Sequence, residues 1–284
     1  MYVSLIYKDI IQGEIEMDVI IFSGQSNMQG QTEALTDIAP VTGAYEYRWL
    51  SDQVVPLCNP VGESITYDKT AGDDVKKGTK GYAWLEAHVT GAACYGNTNL
   101  VPKFCENYRK ATGAEILAVH IAKGSTEIKQ WLPGTSGYEM IIEKASAAVR
   151  KAKENHRVDH IYFVWLQGES DAIAGNTKEY YKEKILLLNH SLKRELGIEK
   201  FAIIRVGRFT NDDRDMEIIH AQDEVCRENQ EFIMLTEIAT DLNKQTEYMN
   251  PFVAGHYSAR GLEKLGEVAG AVLGRYVAEM EEME

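Results

Sequence analysis

The sequence predicts a three-layer α/β fold in which a central parallel sheet carries helices on both faces. Short apolar, β-branched runs recur along the chain, and each has the length of a fully buried strand. They cover residues 19–22, 116–121, 161–166, 201–206 and 232–235. Stretches with helical periodicity lie between several of them, and this alternation is typical of a parallel sheet.

Four stretches have the residue pattern of helices: 138–155, 177–196, 216–229 and 258–280. The first places Met140, Ile141 and Ala145 on one face, as a helix packed on a sheet requires. The second begins at a potential N-cap residue, Thr177, and ends before Gly197. These segments supply the helical layers of the predicted fold.

One domain of 284 residues is expected, because no internal repeat or low-complexity segment is visible. Its core extends from about residue 18 to about residue 278. Residues 31 to about 95 are rich in Gly, Asp, Thr and Tyr and lack sustained periodicity. Long irregular segments often serve binding, so we expect this insertion to cover one sheet edge and border a substrate cleft. A peripheral insertion without a substrate role is the alternative.

The formal net charge of −13 argues against nucleic acid and anionic membranes as partners. The N-terminal region has no secretory h-region, and no apolar run reaches transmembrane length. Four cysteines at irregular spacing, without a CxxC pair, are expected to be free thiols in a reducing compartment. A cytoplasmic location follows, unless an export signal is missing from the sequence. The oligomeric state stays open.

Polar clusters follow three of the predicted strands and precede the last helix. They read SGQSN (residues 23–27), KGST (123–126), QGESD (167–171) and GHYS (255–258). Ligands of open α/β sheets bind at the carboxyl ends of the strands, so these clusters are expected on one rim. Together they supply a serine, a histidine, an acid and potential oxyanion donors, which is the set that a serine esterase needs.

The order of four segments resembles a known superfamily. GQSNM with Gly30, KGSTEIKQW, WLQGESD and GHYSARG are similar to the blocks of SGNH hydrolases. Within that superfamily they resemble carbohydrate esterase family 6 and its sialate O-acetylesterase-like and acetylxylan esterase-like members. The resemblance covers residues 18 to about 278. It implies a flavodoxin-like α/β domain that removes acetyl groups from sugars or xylo-oligosaccharides, with no metal and no organic cofactor.

The resemblance assigns the nucleophile and the base of this esterase. Ser26 aligns with the family's nucleophile, whereas Ser23 is expected to be structural. A serine hydroxyl needs a base to take its proton, and His256 in the last block is expected to do so. The simpler alternatives are a helix N-cap role for Ser26 and a packing role for His256.

The acid partner of the histidine is less clearly assigned by the sequence. Many SGNH enzymes carry an Asp three residues before this His, where the chain has Val253. Glu169 of the third block is the expected substitute, because a carboxylate there could fix the imidazole tautomer. Asp171 and Asp241 are alternatives, although loop or capping roles are expected of both.

The predicted oxyanion donors are the backbone N–H groups of Ser26 and Gly124 and the side-chain amide of Gln167, which takes the place of the family's Asn. Gln25 and Asn27 flank the nucleophile and are expected to brace its loop. Three aromatic residues could either stack on a sugar ring or belong to the core: Trp131, Tyr82 and Trp84.

Other readings are less consistent with the sequence. The HxxDH spacing of residues 156–160 leaves a helix and enters a strand, which disfavours a metal site. Residues 24–30 are not GxGxxG and KGST is not a Walker loop, so nucleotide binding is a minor alternative. The absent Asp at position 253 leaves open a catalytically defective, carbohydrate-binding relative. An esterase for other small esters is a third possibility.

Overall fold

The computed structural model describes residues 16–49, 51–62 and 97–283. Seven strands form a single sheet in the order β3-β2-β4-β1-β5-β6-β7. Their bounds are β1 Glu16–Gly24, β2 Ala44–Arg48, β3 Gln53–Pro56, β4 Glu115–Ala122, β5 Arg157–Leu166, β6 Lys200–Ile204 and β7 Phe232–Thr236. All pairings are parallel except that of β2 with β3, which is antiparallel. The predicted fold class is confirmed, with one antiparallel strand at the edge.

Helices link the parallel strands. Their bounds are α1 Ser26–Gln29, α2 Val101–Thr112, α3 Ser136–Ala152, α4 Glu169–Ala174, α5 Lys178–Leu196, α6 Arg214–Glu228, α7 Ala239–Leu242 and α8 Ala259–Glu281, with short 3₁₀ turns at Ile128–Trp131 and Thr246–Tyr248. Helix α5 begins after Thr177, whose side chain accepts a hydrogen bond from Tyr180 N–H, and ends at Gly197, as predicted. The four predicted helices are therefore confirmed to within a few residues.

The helices form two layers. Helices α2 and α8 pack closely against each other, whereas α3, α5 and α6 contact one another in succession. From β1 the chain runs to β2 and β3 at one edge of the sheet, returns to β4 beside β1, and then crosses to β5, β6 and β7 on the other side. The result is the three-layer sandwich that the alternating pattern predicted.

Three glycines of α8 allow the close approach of α2. A methyl group on Gly266, Gly270 or Gly274 would lie 2.1–2.7 Å from a backbone oxygen of α2 or its N-cap. Those oxygens belong to Leu100, Phe104 and Tyr108. Since both sets recur every four residues, the two helices touch along one ridge, and any side chain there would force them apart.

The insertion differs in part from its prediction as irregular chain. Its described residues include β2 and β3, which extend the sheet beyond β4 at one edge. In β2, Ala44, Glu46 and Tyr47 are buried, whereas Tyr45 and Arg48 are half-buried. The remainder of the insertion, residues 63–96, lies outside the described residues. Helix α2, which follows it, was not predicted.

The strand order places a switch point between β1 and β5. From β1 the chain continues to β2 on one side, whereas from β5 it continues to β6 on the other. Ligands of doubly wound sheets bind where the order reverses, beyond the carboxyl ends of the strands. The segments in question are the turn after Gly24 and the turn after Leu166. In the part of the chain that the structure describes, no helix is long and apolar enough to span a membrane.

Candidate active site

The turn after β1 places Ser26 at the first position of helix α1. Gly24 has a φ of 150°, and a methyl group there would lie 2.0 Å from the carbonyl oxygen of Leu166 at the end of β5. That oxygen also accepts a hydrogen bond from Gln25 N–H at 3.1 Å. Glycine is therefore required where the two strand ends meet, and Ser26 follows this contact directly.

Ser26 is held in place by its neighbours rather than by its own side chain. It is 6% exposed, and within the described ranges its hydroxyl has no hydrogen-bond partner. Gln25 Oε1 accepts from the backbone N–H groups of Gly168 and Ser170, at 3.3 and 3.2 Å. The expected bracing role of Gln25 is thus observed, and it ties the turn that carries Ser26 to the turn after β5.

Asn27 joins three of the predicted blocks. Its Nδ2 donates to Glu169 Oε1 at 2.7 Å and to the carbonyl oxygen of Gly255 at 3.4 Å. Its Oδ1 accepts from the N–H of Tyr257 at 3.2 Å. Glu169 is one of these partners, Ser26 directly precedes Asn27, and His256 lies between Gly255 and Tyr257. The structure therefore brings all three predicted catalytic residues to one place.

His256 lies on a short hairpin after the second 3₁₀ turn. Met249 and Tyr257 form an antiparallel bridge, and Asn250 accepts hydrogen bonds from the N–H groups of Phe252 and Val253. The side chain of Asn250 also donates to the carbonyl oxygen of Gln31 at 3.2 Å. The hairpin is therefore fixed both internally and to the loop that follows helix α1.

The imidazole of His256 has one nitrogen bound and one without a partner. Its Nδ1 lies 2.9 Å from the carbonyl oxygen of Ala254. A carbonyl only accepts, so Nδ1 must carry the proton of this hydrogen bond. Nε2 is buried and has no partner among the described residues. This tautomer leaves Nε2 with a free lone pair, which is the form that a general base requires.

Glu169 is buried, at 5% exposure. Its Oε1 accepts from Asn27, and its Oε2 has no partner within the described part of the chain. Burial raises the pKa of the Glu169 carboxyl, and the hydrogen bond from Asn27 opposes this shift. No hydrogen bond joins Glu169 to His256 among the described residues, since Ala254 occupies Nδ1. The predicted role of triad acid therefore stays a prediction.

The two alternative acids take the structural roles that were expected of them. Asp171 is fully buried and accepts from the N–H of Ile128 at 2.9 Å and from Asn176 at 2.7 Å. Asp241 is exposed and pairs with Lys244 at 2.8 Å, which lowers the pKa of its carboxyl. Neither contacts His256.

The structure does not present Gln167 as an oxyanion donor. Its Nε2 donates to the carbonyl oxygen of Thr126 at 2.8 Å and to Asp171 Oδ2 at 2.6 Å, which uses both of its hydrogens. Its Oε1 accepts from Tyr181 at 3.0 Å, and the residue is 0% exposed. Gln167 therefore braces the interior below the site. Because an amide has two hydrogens and both acceptors are buried, we assign it no contact with substrate.

Gly124 lies beside Ser26, but its N–H is occupied. It donates to Gln29 Oε1 at 2.8 Å. A methyl group on Gly124 would lie 3.3 Å from Ser26 Cβ. Gln29 and Gln31 are functional candidates that the sequence reasoning missed. Their position on either side of Gly30 in the first block was the available signal.

A family model described as "Carbohydrate esterase, sialic acid-specific acetylesterase" matches residues 16–273. The chain belongs to this family. The resemblance that the four segments predicted is confirmed, and the matched span contains all the site residues described above. The family's activity is acetyl ester hydrolysis, and its name implies acetylated carbohydrates as substrates.

A curated relative and two solved structures are similar to this chain. A protein of Arabidopsis thaliana named "Probable carbohydrate esterase" is 26% identical over 198 residues, which cover 66% of this chain and 68% of that protein. The crystal structure of NanS has a TM-score of 0.62 at 13% identity, covering 96% of this chain and 100% of that one. A carbohydrate acetylesterase from Xanthomonas citri has a TM-score of 0.50 at 13% identity, covering 92% and 56%. At these identities the structures show a shared fold.

The other residues that the sequence singled out differ in their outcomes. Trp131 is 0% exposed and donates to Thr126 Oγ1 at 3.0 Å, so it belongs to the core. Tyr82 and Trp84 fall outside the described residues. His156 and His160 lie near acidic residues at the opposite end of the sheet. Within the described ranges, no group of three or more His, Cys, Asp or Glu side chains could hold a metal ion.

Proposed function

We propose that this protein is a carbohydrate O-acetyl esterase in which Ser26 is the nucleophile and His256 is the general base. The family match supports acetyl ester hydrolysis, and the convergence of the first, third and last blocks on Asn27 supports the location of the site. Acetylated sugars and short acetylated xylo-oligosaccharides are the proposed substrates. The free thiols of Cys58, Cys105 and Cys226 are consistent with a reducing, cytoplasmic location.

The proposed reaction proceeds in two stages. His256 Nε2 takes the proton of the Ser26 hydroxyl as its oxygen attacks the acetyl carbonyl. The tetrahedral intermediate then collapses, the bond to the sugar oxygen breaks, and His256 returns the proton to that oxygen. Water, activated by the same nitrogen, attacks the acetyl-serine ester. Acetate leaves, and the proton returns to Ser26.

The orientation of His256 is the single observation that carries this proposal. The Ala254 carbonyl fixes the Nδ1 proton, so the lone pair of Nε2 is available in a buried position, with no competing partner among the described residues. This contact takes the place of the Asp that is absent at position 253. The departure from the superfamily pattern therefore does not leave the imidazole unoriented, and it gives no support to a defective relative.

Glu169 enters the proposal through Asn27. The buried carboxylate accepts from Asn27 Nδ2, whose Oδ1 accepts from the N–H next to His256. Glu169 thereby holds the histidine hairpin against the nucleophile turn. A direct role as triad acid would require Glu169 to replace Ala254 at Nδ1, and the two roles predict different effects of mutation, as described in the Discussion.

The test is the hydrolysis of p-nitrophenyl acetate and of acetylated xylo-oligosaccharides by the wild type, Ser26→Ala and Ser23→Ala. Ser23 is a matched control, because it lies three residues before Ser26 and is buried near the end of β1. Loss of a nucleophilic serine costs on the order of 10⁶ in kcat, so Ser26→Ala should leave almost no activity. Ser23→Ala should retain kcat within a few-fold. Equal activity of the wild type and Ser26→Ala would contradict the proposal.

A further inference from the structure

The proposed esterase has fewer available oxyanion donors than its sequence predicted. Acyl transfer places negative charge on the former carbonyl oxygen, and donors aimed at that oxygen lower the barrier. Gln167 has both amide hydrogens committed to the interior, and Gly124 N–H is committed to Gln29. Of the three predicted donors, this leaves the N–H of Ser26, at the start of α1.

The surroundings of Gly124 show which other amide group lies close to the side chain of Ser26. The φ angle of Gly124 does not lie in the left-handed region. Glycine is therefore favoured at this position by the limited space around it and not by its backbone conformation. A methyl group there would lie 2.8 Å from Gln31 Nε2 and 3.3 Å from Ser26 Cβ. The Gln31 amide and the nucleophile side chain therefore flank one small gap, which a Cβ at position 124 would fill.

Gln31 is anchored for such a role. Its backbone N–H donates to the carbonyl oxygen of Ser26 at 3.2 Å, and its own carbonyl accepts from Asn250, which shapes the histidine hairpin. Its Nε2 donates one hydrogen to Gln29 Oε1 at 3.3 Å. The second hydrogen of this amide has no acceptor among the described residues. The main chain of Gln31 is thus fixed between nucleophile and base while one amide N–H stays available.

We propose that Gln31 is a further catalytic residue, whose Nε2 donates to the oxyanion together with the N–H of Ser26. This inference rests on the proposed function. The amide keeps its protons throughout, and it acts by stabilising the charge that develops as Ser26 attacks. Gln29 orients it from behind, because Gln29 Oε1 accepts from both Gly124 and Gln31 and so fixes the plane of the Gln31 amide.

The experiment compares wild type, Gln31→Ala, Gln31→Glu and the exposed control Gln230→Ala with p-nitrophenyl acetate. Removal of an oxyanion donor costs about 10²–10³ in kcat, so Gln31→Ala should fall by this factor with KM within a few-fold. Gln31→Glu should fall further, since it has the same length but places a carboxylate against the developing charge. A merely structural contact to Gln29 would affect both variants alike. Gln230→Ala should match the wild type.

A boronic acid inhibitor that forms a tetrahedral adduct on Ser26 gives a second measurement. Its affinity should weaken in Gln31→Ala by about the same factor as kcat/KM, as expected for a transition-state contact. Thermal unfolding of each variant separates loss of fold from loss of the donor, and Gln31→Glu keeps the side-chain volume if Gln31→Ala does not fold. Unchanged kcat in folded Gln31 variants, with an active wild type, would overturn this inference alone. A wild type without acetylesterase activity would overturn the proposed function as well.

Discussion

The two ends of strands β1 and β5 differ in how their charged groups are paired, although one buried oxygen at the amino end, Asp159 Oδ2, also has no partner among the described residues. At the amino ends, charges are paired: Arg157 bonds to Glu16 and lies 2.6 Å from Asp159, and His160 lies 3.0 Å from Glu199. At the carboxyl ends, His256 Nε2 and Glu169 Oε2 are buried without partners in the described part of the chain. Paired charges stabilise a fold, whereas unpaired buried groups cost stability and are typical of sites that act on a ligand.

Replacing the base should have the largest effect at the carboxyl end. His256→Gln keeps a polar side chain that can donate to Ala254 but cannot take a proton from Ser26. Loss of a catalytic histidine costs on the order of 10⁶ in kcat, and the variant should be nearly inactive. Steady-state kinetics with p-nitrophenyl acetate measures this. His190→Gln, an exposed histidine on α5, is the control and should keep wild-type activity. Full activity of His256→Gln would contradict the role of His256 as the base, and with it the contrast between the two ends of the strands.

Replacing Asp18 should change stability at the amino end without changing activity. Burial raises the pKa of Asp18 to about 6, against a hydrogen bond from Tyr108 at 2.6 Å. Between its ordinary pKa and about 6 the folded state binds more protons than the unfolded state, so stability falls as pH rises through this window. The shift corresponds to about 3 kcal/mol.

Asp18→Asn should therefore lose this pH dependence. Urea unfolding at pH 4 and pH 7 measures it, with exposed Asp212→Asn as the control. The free energy of unfolding of the wild type should drop relative to Asp18→Asn between the two values. The same slope in both proteins would mean that Asp18 titrates normally in the fold.

Glu169→Gln separates the two roles of the buried carboxylate. If Glu169 acts by holding Asn27, an amide oxygen still accepts that hydrogen bond, and kcat should fall by about tenfold or less. If Glu169 is instead the acid that orients His256, the amide should cost about 10⁴, as loss of a triad carboxylate does. We expect the smaller effect, because Ala254 occupies Nδ1. Asp171→Asn, which touches the interior but not Asn27, is the comparison variant.

The smallest effect is expected from His160 at the amino end. Its hydrogen bond to Glu199 is the main cause that raises the pKa of His160 to about 9. Because the pKa of His160 is higher in the folded state than in the unfolded state, its protonation stabilises the fold below its ordinary pKa. This stabilisation is lost as the pH rises through the pKa of the folded state. His160→Gln should therefore remove a decline in stability between about pH 6.5 and 9. The pair is partly exposed, so the change should stay below about 1 kcal/mol. A steeper decline in the variant would contradict this assignment.

The five buried strands of the prediction are all present, because each run consists mainly of apolar residues that the centre of the sheet buries. Strands β2 and β3 were not predicted, since Tyr45, Glu46 and Arg48 mix polar and apolar residues at a sheet edge. Helix α2 was missed because its contact with α8 depends on glycines about 160 residues further along the chain, a pairing that local pattern cannot show.

The candidate site likewise contains residues that could be predicted from the sequence and contacts that could not. Ser26, Glu169 and His256 were located by type and order, and the structure brings them to one place. The partner of His256 could not be predicted, because it is a backbone carbonyl and any residue at position 254 supplies one. Gln167 was misassigned because its type matched a donor, whereas its direction depends on Thr126 and Asp171 in three dimensions.

The most direct test of the central claim is to trap the acetyl-enzyme. Wild type mixed with p-nitrophenyl acetate is quenched in acid within the first turnover, and the peptide that contains Ser23 and Ser26 is fragmented in a mass spectrometer. The account predicts one acetyl group, on Ser26, and none on the same peptide of His256→Gln. Turnover with an acetyl group on Ser23, or with no acetylated serine in this peptide, would contradict it.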